Sequence, residues 1–253
     1  MLSNEVVIES LFVQWQRPPE HPLISAGQIH LWRVDLEMMR CLPGNSSLLS
    51  QSEKERFRRL VSQPKRDDFC AARAALRMIL AGYLKLLPRA LKFGYSLSGK
   101  PFLVNPAFGC DLRFSLSHSG KWMLLGVCLS AELGVDIEEI RVVNQSWALS
   151  NLFSEDERKL INNMGSVERA NGFTRLWTKK EATAKADGTG LVRYARQMRA
   201  TSFSGIMTEK QAITRENGFW VLSFEPAPGY LAAAAVGTEE IPWISFFEFN
   251  PNI

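Results

Sequence analysis

Two charged side chains fall on the apolar face of a predicted helix. The segment 173–187 contains no proline and many good helix formers, and Gly188 and Gly190 follow it. At about 3.6 residues per turn, four of its residues form one apolar stripe: Phe173, Leu176, Trp177 and Ala184. Lys180 and Glu181 fall within this stripe, and Lys185 lies on its flank. Because a lone buried charge is costly, these residues either form a partly exposed pair or hold an ion or a ligand.

A pair of acidic residues on one short strand provides a partner for such an ion. Apolar and acidic residues alternate in 134–138, so Asp136 and Glu138 share one face of the predicted strand. Two close carboxylates repel each other unless a cation lies between them, and oxygen ligands suit Mg²⁺, which also binds water and phosphates. A solvated edge strand is the alternative. Together with Glu181, the pattern predicts a magnesium site formed by Asp136, Glu138 and Glu181.

A small polar group follows another apolar strand. Leu112, Phe114 and Leu116 alternate, and Ser117, His118 and Ser119 come at the predicted end of that strand before Gly120. Small hydroxyls and a glycine leave room for a phosphate, which the imidazole and exposed amides could bind. A lone histidine is more often simply a satisfied core or surface residue. We find no spacing that indicates a Ser-His-Asp triad.

The elements that position these residues recur along the chain. Ser52 with Glu55 predicts a capping box at the start of a helix, and Ser154–Arg158 matches Ser52–Arg56 at four of five positions, 102 residues later. The helix 66–84 corresponds to 173–187, and the strand 122–129 to 230–236. The sequence therefore predicts an α+β fold of two similar α/β halves, 1–132 and 133–253, that meet along one interface.

Composition indicates an ordinary water-soluble globular protein. Hydrophobic residues make up 46% of the 253 residues and charged residues 22%, and the longest apolar runs are far shorter than a membrane helix. We expect no signal peptide, because the first residues contain no basic region followed by an apolar core. The four cysteines are widely spaced and form no CxxC pair, which favours a cytoplasmic location with reduced thiols. The wide spacing of these cysteines and the presence of only three histidines argue against a zinc site.

The basic residues concentrate in 54–66, and the net charge is +4. Acidic residues are interleaved with them, so much of this segment is a solvated helix face. No aromatic-rich strand accompanies the basic residues, which argues against binding of single-stranded nucleic acid. A phosphorylated small molecule or an acidic protein partner suits this surface better.

Five motifs, in order, resemble those of 4'-phosphopantetheinyl transferases of the surfactin-synthetase-activating type. They are G-K-P at 99–101, F-S-L-S-H-S at 114–119, G-V-D-I-E at 134–138, F-S-x-x-E at 153–157 and W-T-K-K-E-A-T-A-K at 177–185. The resemblance implies two α/β halves related by a pseudo-twofold axis, with the active site at their interface. It also implies transfer of the phosphopantetheine arm of coenzyme A to a serine of an acyl or peptidyl carrier protein, releasing adenosine 3',5'-bisphosphate.

The resemblance also implies roles for individual residues. Asp136, Glu138 and Glu181 match the magnesium ligands, Glu157 the base that takes the serine proton, and Lys185 the lysine that neutralises or protonates the leaving phosphate. The coenzyme A contacts comprise the diphosphate residues Lys100 and His118, the 3'-phosphate candidates Arg56, Arg66 and Arg73, and also Ser117, Lys180 and Lys185. Because the chain supplies both halves, we expect a monomer. The short apolar runs and the lack of an aromatic-rich strand lead us to expect no membrane or nucleic-acid partner.

Two other functional classes remain open from the residues alone. One is another magnesium-dependent nucleotide phosphotransferase, of which only the commonest form is excluded by the absence of a GxxxxGK[ST] loop. The other is a non-enzymatic module that binds RNA or a protein through the basic helix. A binding module would tolerate the loss of the carboxylates and of Lys185, whereas an enzyme would not.

Overall fold

Two four-stranded sheets, each with a 22-residue helix in its half of the chain, form the protein in a computed structural model that describes residues 13–104, 111–142, 151–198 and 213–251. The strands are β1 (Gln28–Asp35), β2 (Phe93–Tyr95), β3 (Pro101–Leu103), β4 (Leu112–Ser119), β5 (Trp122–Leu129), β6 (Leu133–Glu139), β7 (Ile213–Glu216), β8 (Phe219–Phe224), β9 (Tyr230–Val236) and β10 (Trp243–Phe249). The helices are α1 (Leu36–Arg40), α2 (Asn45–Leu48), α3 (Gln51–Arg59), α4 (Gln63–Leu84), α5 (Glu155–Asn162), α6 (Ser166–Asp187) and α7 (Leu191–Met198). This arrangement confirms the predicted α+β class.

Three strands of each sheet follow the same order, whereas the fourth strand lies at a different edge in each: β10 beside β1, and β7 beside β8. The first sheet has the order β10-β1-β5-β4, and the second has the order β6-β9-β8-β7. In the first sheet β1 pairs antiparallel with β5, which pairs antiparallel with β4. In the second sheet β6 pairs antiparallel with β9, which pairs antiparallel with β8. The recurrence supports the predicted pseudo-twofold relation, which remains a prediction.

The last strand departs from the predicted division at residue 132. β10 pairs in parallel with β1, with Gln28 opposite Trp243 and Val34 opposite Phe249. The end of the chain therefore completes the sheet of the first half and ties the two halves together. Alternating hydrophobicity predicts a strand but does not say which sheet it joins.

Serine side chains join the two sheets where β4 runs beside β6. Ser115 accepts a hydrogen bond from the backbone N of Val135 at 3.1 Å, and Ser119 accepts one from the N of Glu139 at 3.2 Å. Ser115, Ser117 and Ser119 alternate along β4, so all three face β6. Ser117, His118 and Ser119 therefore belong to β4 itself, and the turn begins at Gly120.

A glycine lets β6 lie directly against α6. A Cβ at Gly134 would lie 1.9 Å from the carbonyl oxygen of Ala182 and 2.5 Å from the backbone N of Ala186. Both obstacles are backbone atoms, which have little freedom to move aside. The close approach brings the acidic strand and the charged helix together.

The first capping box lies two residues earlier than predicted. Ser50 is the N-cap of α3 and exchanges hydrogen bonds with Glu53, whereas Ser52 lies inside the helix. The predicted box at Ser154 and Glu157 is confirmed at the start of α5. Glu53 is therefore the counterpart of Glu157 in the first half, and Glu55 is not.

Within the described parts of the chain, no helix is both long and apolar enough to cross a membrane.

Candidate active site

Lys185 and Asp136 form the centre of the site, at the contact between α6 and β6. The Lys185 ammonium lies 2.7 Å from Oδ1 of Asp136 and donates to Oγ of Ser117 at 3.1 Å and to the carbonyl of Val135 at 3.2 Å. Ser117 in turn donates to the same Oδ1 at 2.7 Å. Three elements, β4, β6 and α6, therefore converge on one carboxylate oxygen.

The other oxygen of this carboxylate has no partner. Oδ2 of Asp136 is buried and makes no hydrogen bond to any residue that the structure describes. Burial raises the pKa of Asp136, against the opposing effect of Lys185. An unpartnered buried acceptor of this kind is costly unless a cation or a donor meets it.

Glu138 and Glu181 add two more carboxylates to this centre. Burial and then the charge of Asp136 raise the pKa of Glu138, whose Oε2 accepts a hydrogen bond from Ser119 at 2.8 Å. Burial raises the pKa of Glu181, and the charges of Asp136 and Glu138 raise it further, against Lys185. The three carboxylates thus interact electrostatically. In the described ranges, however, no three His, Cys, Asp or Glu side chains converge closely enough to bind a metal ion.

A cation would relieve two features of this centre, the buried unpartnered oxygen of Asp136 and the raised pKa values of the three carboxyl groups. Hard oxygen ligands of this type suit Mg²⁺. Lys185 supplies part of the required positive charge.

A basic pocket of about 490 Å³ opens beside this centre. The predicted residues Arg56, Arg73, Ser117 and His118 line it, and so does Lys65, which sequence analysis placed only in the general basic surface. The acidic residue of the lining, Asp68, is paired with Arg40. The volume suits a cofactor-sized ligand, and the free charge of the lining is positive.

Among the residues that line this pocket, Arg73 has the features best suited to binding an anion. The residue is only 8% exposed, its Nη1 is buried, and that atom has no hydrogen-bond partner among the described residues. Burial lowers its pKa, and the rings of Phe69 and Tyr95 lie 5.6 and 5.8 Å from its guanidinium carbon. A buried guanidinium with an unused donor is an anion-binding group.

His118 lies at the wall of the pocket and is exposed to it. The protein around its ring nevertheless lowers its pKa, chiefly by desolvation, while Asp68 opposes the shift. The imidazole is therefore neutral at neutral pH and can donate or accept one hydrogen bond at a phosphate.

Lys180 and Glu157 lie together in the interior. The Lys180 ammonium is 3.0 Å from Oε1 of Glu157, and the two side chains are 4% and 5% exposed. Oε2 of Glu157 accepts the backbone N–H of Ser154 at 2.7 Å, and the Phe153 ring lies 5.4 Å from the Lys180 ammonium. One oxygen of the predicted base therefore caps α5, and the other faces the Lys180 ammonium as an ion pair.

Four predicted ligand contacts lie outside the pocket lining: Lys180 and Lys185, described above, and also Arg66 and Lys100. Arg66 donates from Nε to the carbonyl of Leu60 at 2.7 Å and closes the turn between α3 and α4. Lys100 donates to two backbone carbonyls, those of Leu133 and Lys185, each at 2.9 Å. Sequence reasoning missed the bridging roles of Ser115 and Ser119, which the serine at every second position of β4 could have indicated.

A second cavity, of about 480 Å³, contains none of the predicted site residues. Its wall includes Trp15 from the segment before β1, Trp32 from β1, Gly82 from α4 and Phe249 from β10. Nothing in its lining matches the chemistry described above.

Comparison with known proteins places these features in a family. Residues 132–235 match the 4'-phosphopantetheinyl transferase superfamily. The chain is 31% identical over 222 residues to the 4'-phosphopantetheinyl transferase HetI of Nostoc sp., which covers 87% of this chain and 92% of that protein. It is 26% identical over 211 residues to the transferase Sfp of Bacillus subtilis, covering 77% and 90%. It is also 34% identical over 128 residues to AcpT of Escherichia coli, covering 49% and 60%. The chain therefore belongs to the 4'-phosphopantetheinyl transferases.

Proposed function

We propose that this protein transfers the phosphopantetheine arm of coenzyme A to a serine of an apo acyl or peptidyl carrier protein, as a monomer of the surfactin-synthetase-activating type. The observation that carries the proposal is the basic pocket, with the unpartnered Nη1 of Arg73, next to the Lys185–Asp136 centre. An anionic ligand bound there has its reacting phosphate beside a lysine and three carboxylates. The comparisons offer no support for another nucleotide phosphotransferase.

The pocket residues hold the nucleotide end of coenzyme A. Arg73, Arg56 and Lys65 offer positive charge to its 3'-phosphate, and Nη1 of Arg73 gains the acceptor it lacks. His118 and Ser117 lie on the side of the pocket nearest Lys185 and therefore meet the diphosphate. Arg66 is assigned no ligand contact, because its guanidinium closes the turn after α3.

Asp136, Glu138 and Glu181 would hold Mg²⁺, which supplies charge neutralisation to the diphosphate when bound. The serine oxygen of the carrier attacks the phosphorus attached to pantetheine, and the bond to the bisphosphate leaving group breaks. Lys185 neutralises or protonates the leaving phosphate oxygen. Such fixed charges at the developing negative charge supply most of the acceleration in phosphoryl transfer.

Glu157 takes the proton of the carrier serine in this scheme, directly or through water. Because one oxygen caps α5 and the other faces the Lys180 ammonium, the role requires Lys180 to move first from Oε1 to a phosphate oxygen. Binding of coenzyme A would therefore expose the base and add a phosphate contact in one step.

The decisive experiment is incubation of the purified protein with coenzyme A, Mg²⁺ and an apo carrier protein, followed by intact-mass measurement. We expect the carrier to gain one phosphopantetheine group and adenosine 3',5'-bisphosphate to appear in equal amount. No mass change with either an acyl or a peptidyl carrier would contradict the proposed activity.

The variant Asp136→Asn tests the acidic centre. Loss of the carboxylate charge should slow transfer by about 10²-fold or more and abolish calorimetric binding of Mg²⁺ in the presence of coenzyme A. Glu139→Gln is the matched control, because Glu139 is on the same strand but pairs with Arg141 at the surface. Wild-type transfer by Asp136→Asn, or by the wild type in excess chelator, would remove the magnesium assignment.

A further inference from the structure

Lys100 reaches from the β2–β3 hairpin of the first half to the end of α6 in the second. Its ammonium donates to the carbonyl of Leu133, at the start of β6, and to the carbonyl of Lys185, each at 2.9 Å. Glu132 lies 4.0 Å away on a third side. An ammonium has only three N–H donors, so little of this group is left for a ligand.

The carbonyl of Lys185 belongs to the last turn of α6. The final four carbonyls of a helix lack partners within the helix, and a cation near them is favourable. Gly188 ends α6 in the left-handed conformation and donates to the carbonyl of Ala184, which leaves the next carbonyl, that of Lys185, for Lys100. Lys100 therefore caps α6 from another part of the chain.

The same bond fixes the main chain of a residue central to the proposed reaction. Lys185 directs its ammonium to Asp136 on β6, while its own carbonyl is held by Lys100. Lys100 also holds the carbonyl of Leu133. Leu133 directly precedes Gly134, the residue at which β6 lies against α6. Lys100 thus joins the helix that carries Lys185 to the strand that carries Asp136.

Hydrogen bonds and a glycine fix the conformation of the turn that carries Lys100. Ser96 N donates to the carbonyl of Lys100 at 2.9 Å, Lys100 N donates to Oγ of Ser96 at 3.1 Å, and Gly99 has a φ of +82°, which favours glycine. Burial lowers the pKa of Lys100, against the charge of Glu132. The Lys100 side chain is only 23% exposed.

We infer that Lys100 is a positioning residue that sets the place of Lys185 relative to Asp136 by capping the end of α6, and that it is not a ligand of the coenzyme A diphosphate. This inference rests on the proposed function. A displacement of about 1 Å at a catalytic group can cost up to about 10²-fold in rate. Loss of the cap should therefore reduce turnover and leave the affinity of the basic pocket unchanged.

The variants Lys100→Met and Lys100→Arg test this role with coenzyme A and an apo carrier as substrates. We expect Lys100→Met to lower kcat by about 10- to 100-fold with the KM for coenzyme A within about twofold of wild type. Lys100→Arg, which still donates to both carbonyls, should recover most of kcat. Hydrogen exchange at the amide of Gly188 should be faster in Lys100→Met than in wild type.

Lys92→Met is the matched control, because Lys92 precedes the same hairpin and its side chain is exposed. A raised KM for coenzyme A with unchanged kcat in Lys100→Met would identify a ligand contact and overturn the inference. Lowered thermal stability with wild-type kcat would also overturn it, by reducing Lys100 to a structural cap. If Lys100→Met does not fold, Lys100→Gln, whose uncharged side chain is one bond too short to hold both carbonyls, must show the same fall in kcat at constant KM. An inactive wild type would instead contradict the proposed function.

Discussion

Glu53 and Glu157 occupy matching environments in the two halves of the chain. Each is buried, accepts the backbone N–H of the serine that caps its helix, and pairs with a cation on the following long helix. For Glu53 the cation is Arg77, at 2.7 Å and 1% exposed. An aromatic ring lies 5.0 Å from the guanidinium carbon of Arg77 and 5.4 Å from the ammonium of Lys180. The two glutamates therefore share a structural role.

Glutamine substitutions separate the shared structural role from the proposed catalytic one. Both Glu53→Gln and Glu157→Gln keep a cap acceptor but remove the negative charge that faces a buried cation, which costs about 3–5 kcal/mol of unfolding free energy. We expect both variants to lose stability, measured by urea unfolding. Only Glu157→Gln should also lose most of its turnover, while its affinity for coenzyme A is retained.

The assay is run at a temperature at which both variants are fully folded, so that turnover is compared per folded molecule. Glu53→Gln is the appropriate control because Glu53, and not Glu55, is the structural counterpart. Equal turnover per folded molecule in the two variants would show that Glu157 is only a cap and an ion-pair partner.

At the scale of elements, the contact between β6 and α6 depends on one missing side chain. Gly134→Ala places a methyl group on backbone atoms of α6, 1.9 Å from the carbonyl oxygen of Ala182, so strand and helix must separate. We expect a loss of about 1–3 kcal/mol in unfolding free energy and a larger relative loss in kcat, because the separation moves Asp136 away from Lys185. Chemical denaturation and steady-state kinetics measure the two effects.

Gly237→Ala serves as the control for this substitution. Gly237 follows β9, and a Cβ there would meet the Phe219 ring at 3.4 Å and Cβ of Glu132 at 3.8 Å, both ordinary contact distances. It should retain wild-type stability and activity. Gly134→Ala with wild-type kcat would mean that the site tolerates a shift between these two elements.

The sequence predicts the elements well where the pattern is local. The predicted strands 122–129 and 230–236 coincide with β5 and β9, and the helix that contains Glu181 and Lys185 is confirmed. The capping box was misplaced because both Ser50 and Ser52 have a glutamate three residues later. The structure selects Ser50, since Glu53 can then face Arg77 on α4, and this choice depends on packing that no local pattern contains.

The same limit applies to the site. Periodicity is enough to place Asp136 and Glu138 on one face of a strand, and Lys180 and Glu181 on the packed side of a helix. It cannot reveal that Lys100 caps α6 or that Arg66 closes a turn, because those partners are backbone carbonyls. Every residue has a backbone carbonyl, so the sequence does not indicate which carbonyl accepts a hydrogen bond from a side chain.

At the scale of the whole molecule, one cluster of aromatic side chains joins β1, α4 and β10. His30 on β1 lies 2.7 Å from the hydroxyl of Tyr83 on α4, and its ring meets that of Phe247 on β10 at 5.1 Å. The Tyr83 hydroxyl accepts a hydrogen bond from Nε1 of Trp32 at 2.8 Å. Its own proton is therefore available to Nδ1 of His30, which accepts it only when the imidazole is neutral.

This cluster predicts acid sensitivity of the fold. Burial lowers the pKa of His30 from 6.5 to about 4, so between these values the unfolded chain binds a proton that the folded protein excludes. The contribution of His30 to stability is complete above pH 6.5 and declines as the pH falls toward 4, with a slope approaching about one proton per molecule. The raised pKa values of Asp136, Glu138 and Glu181 act in the opposite direction, because the folded protein binds those protons more readily.

A variant isolates the histidine from these acids. His30→Gln can still accept the Tyr83 proton but does not titrate, so the difference between its pH profile of unfolding free energy and that of the wild type contains only the contribution of His30. We expect the two profiles to run parallel above pH 6.5 and the wild type to lose stability more steeply below it, measured by urea unfolding from pH 7.5 to 4. Parallel profiles over the whole range would mean that His30 takes up its proton without cost, and that the contact of β1, α4 and β10 does not depend on a neutral imidazole.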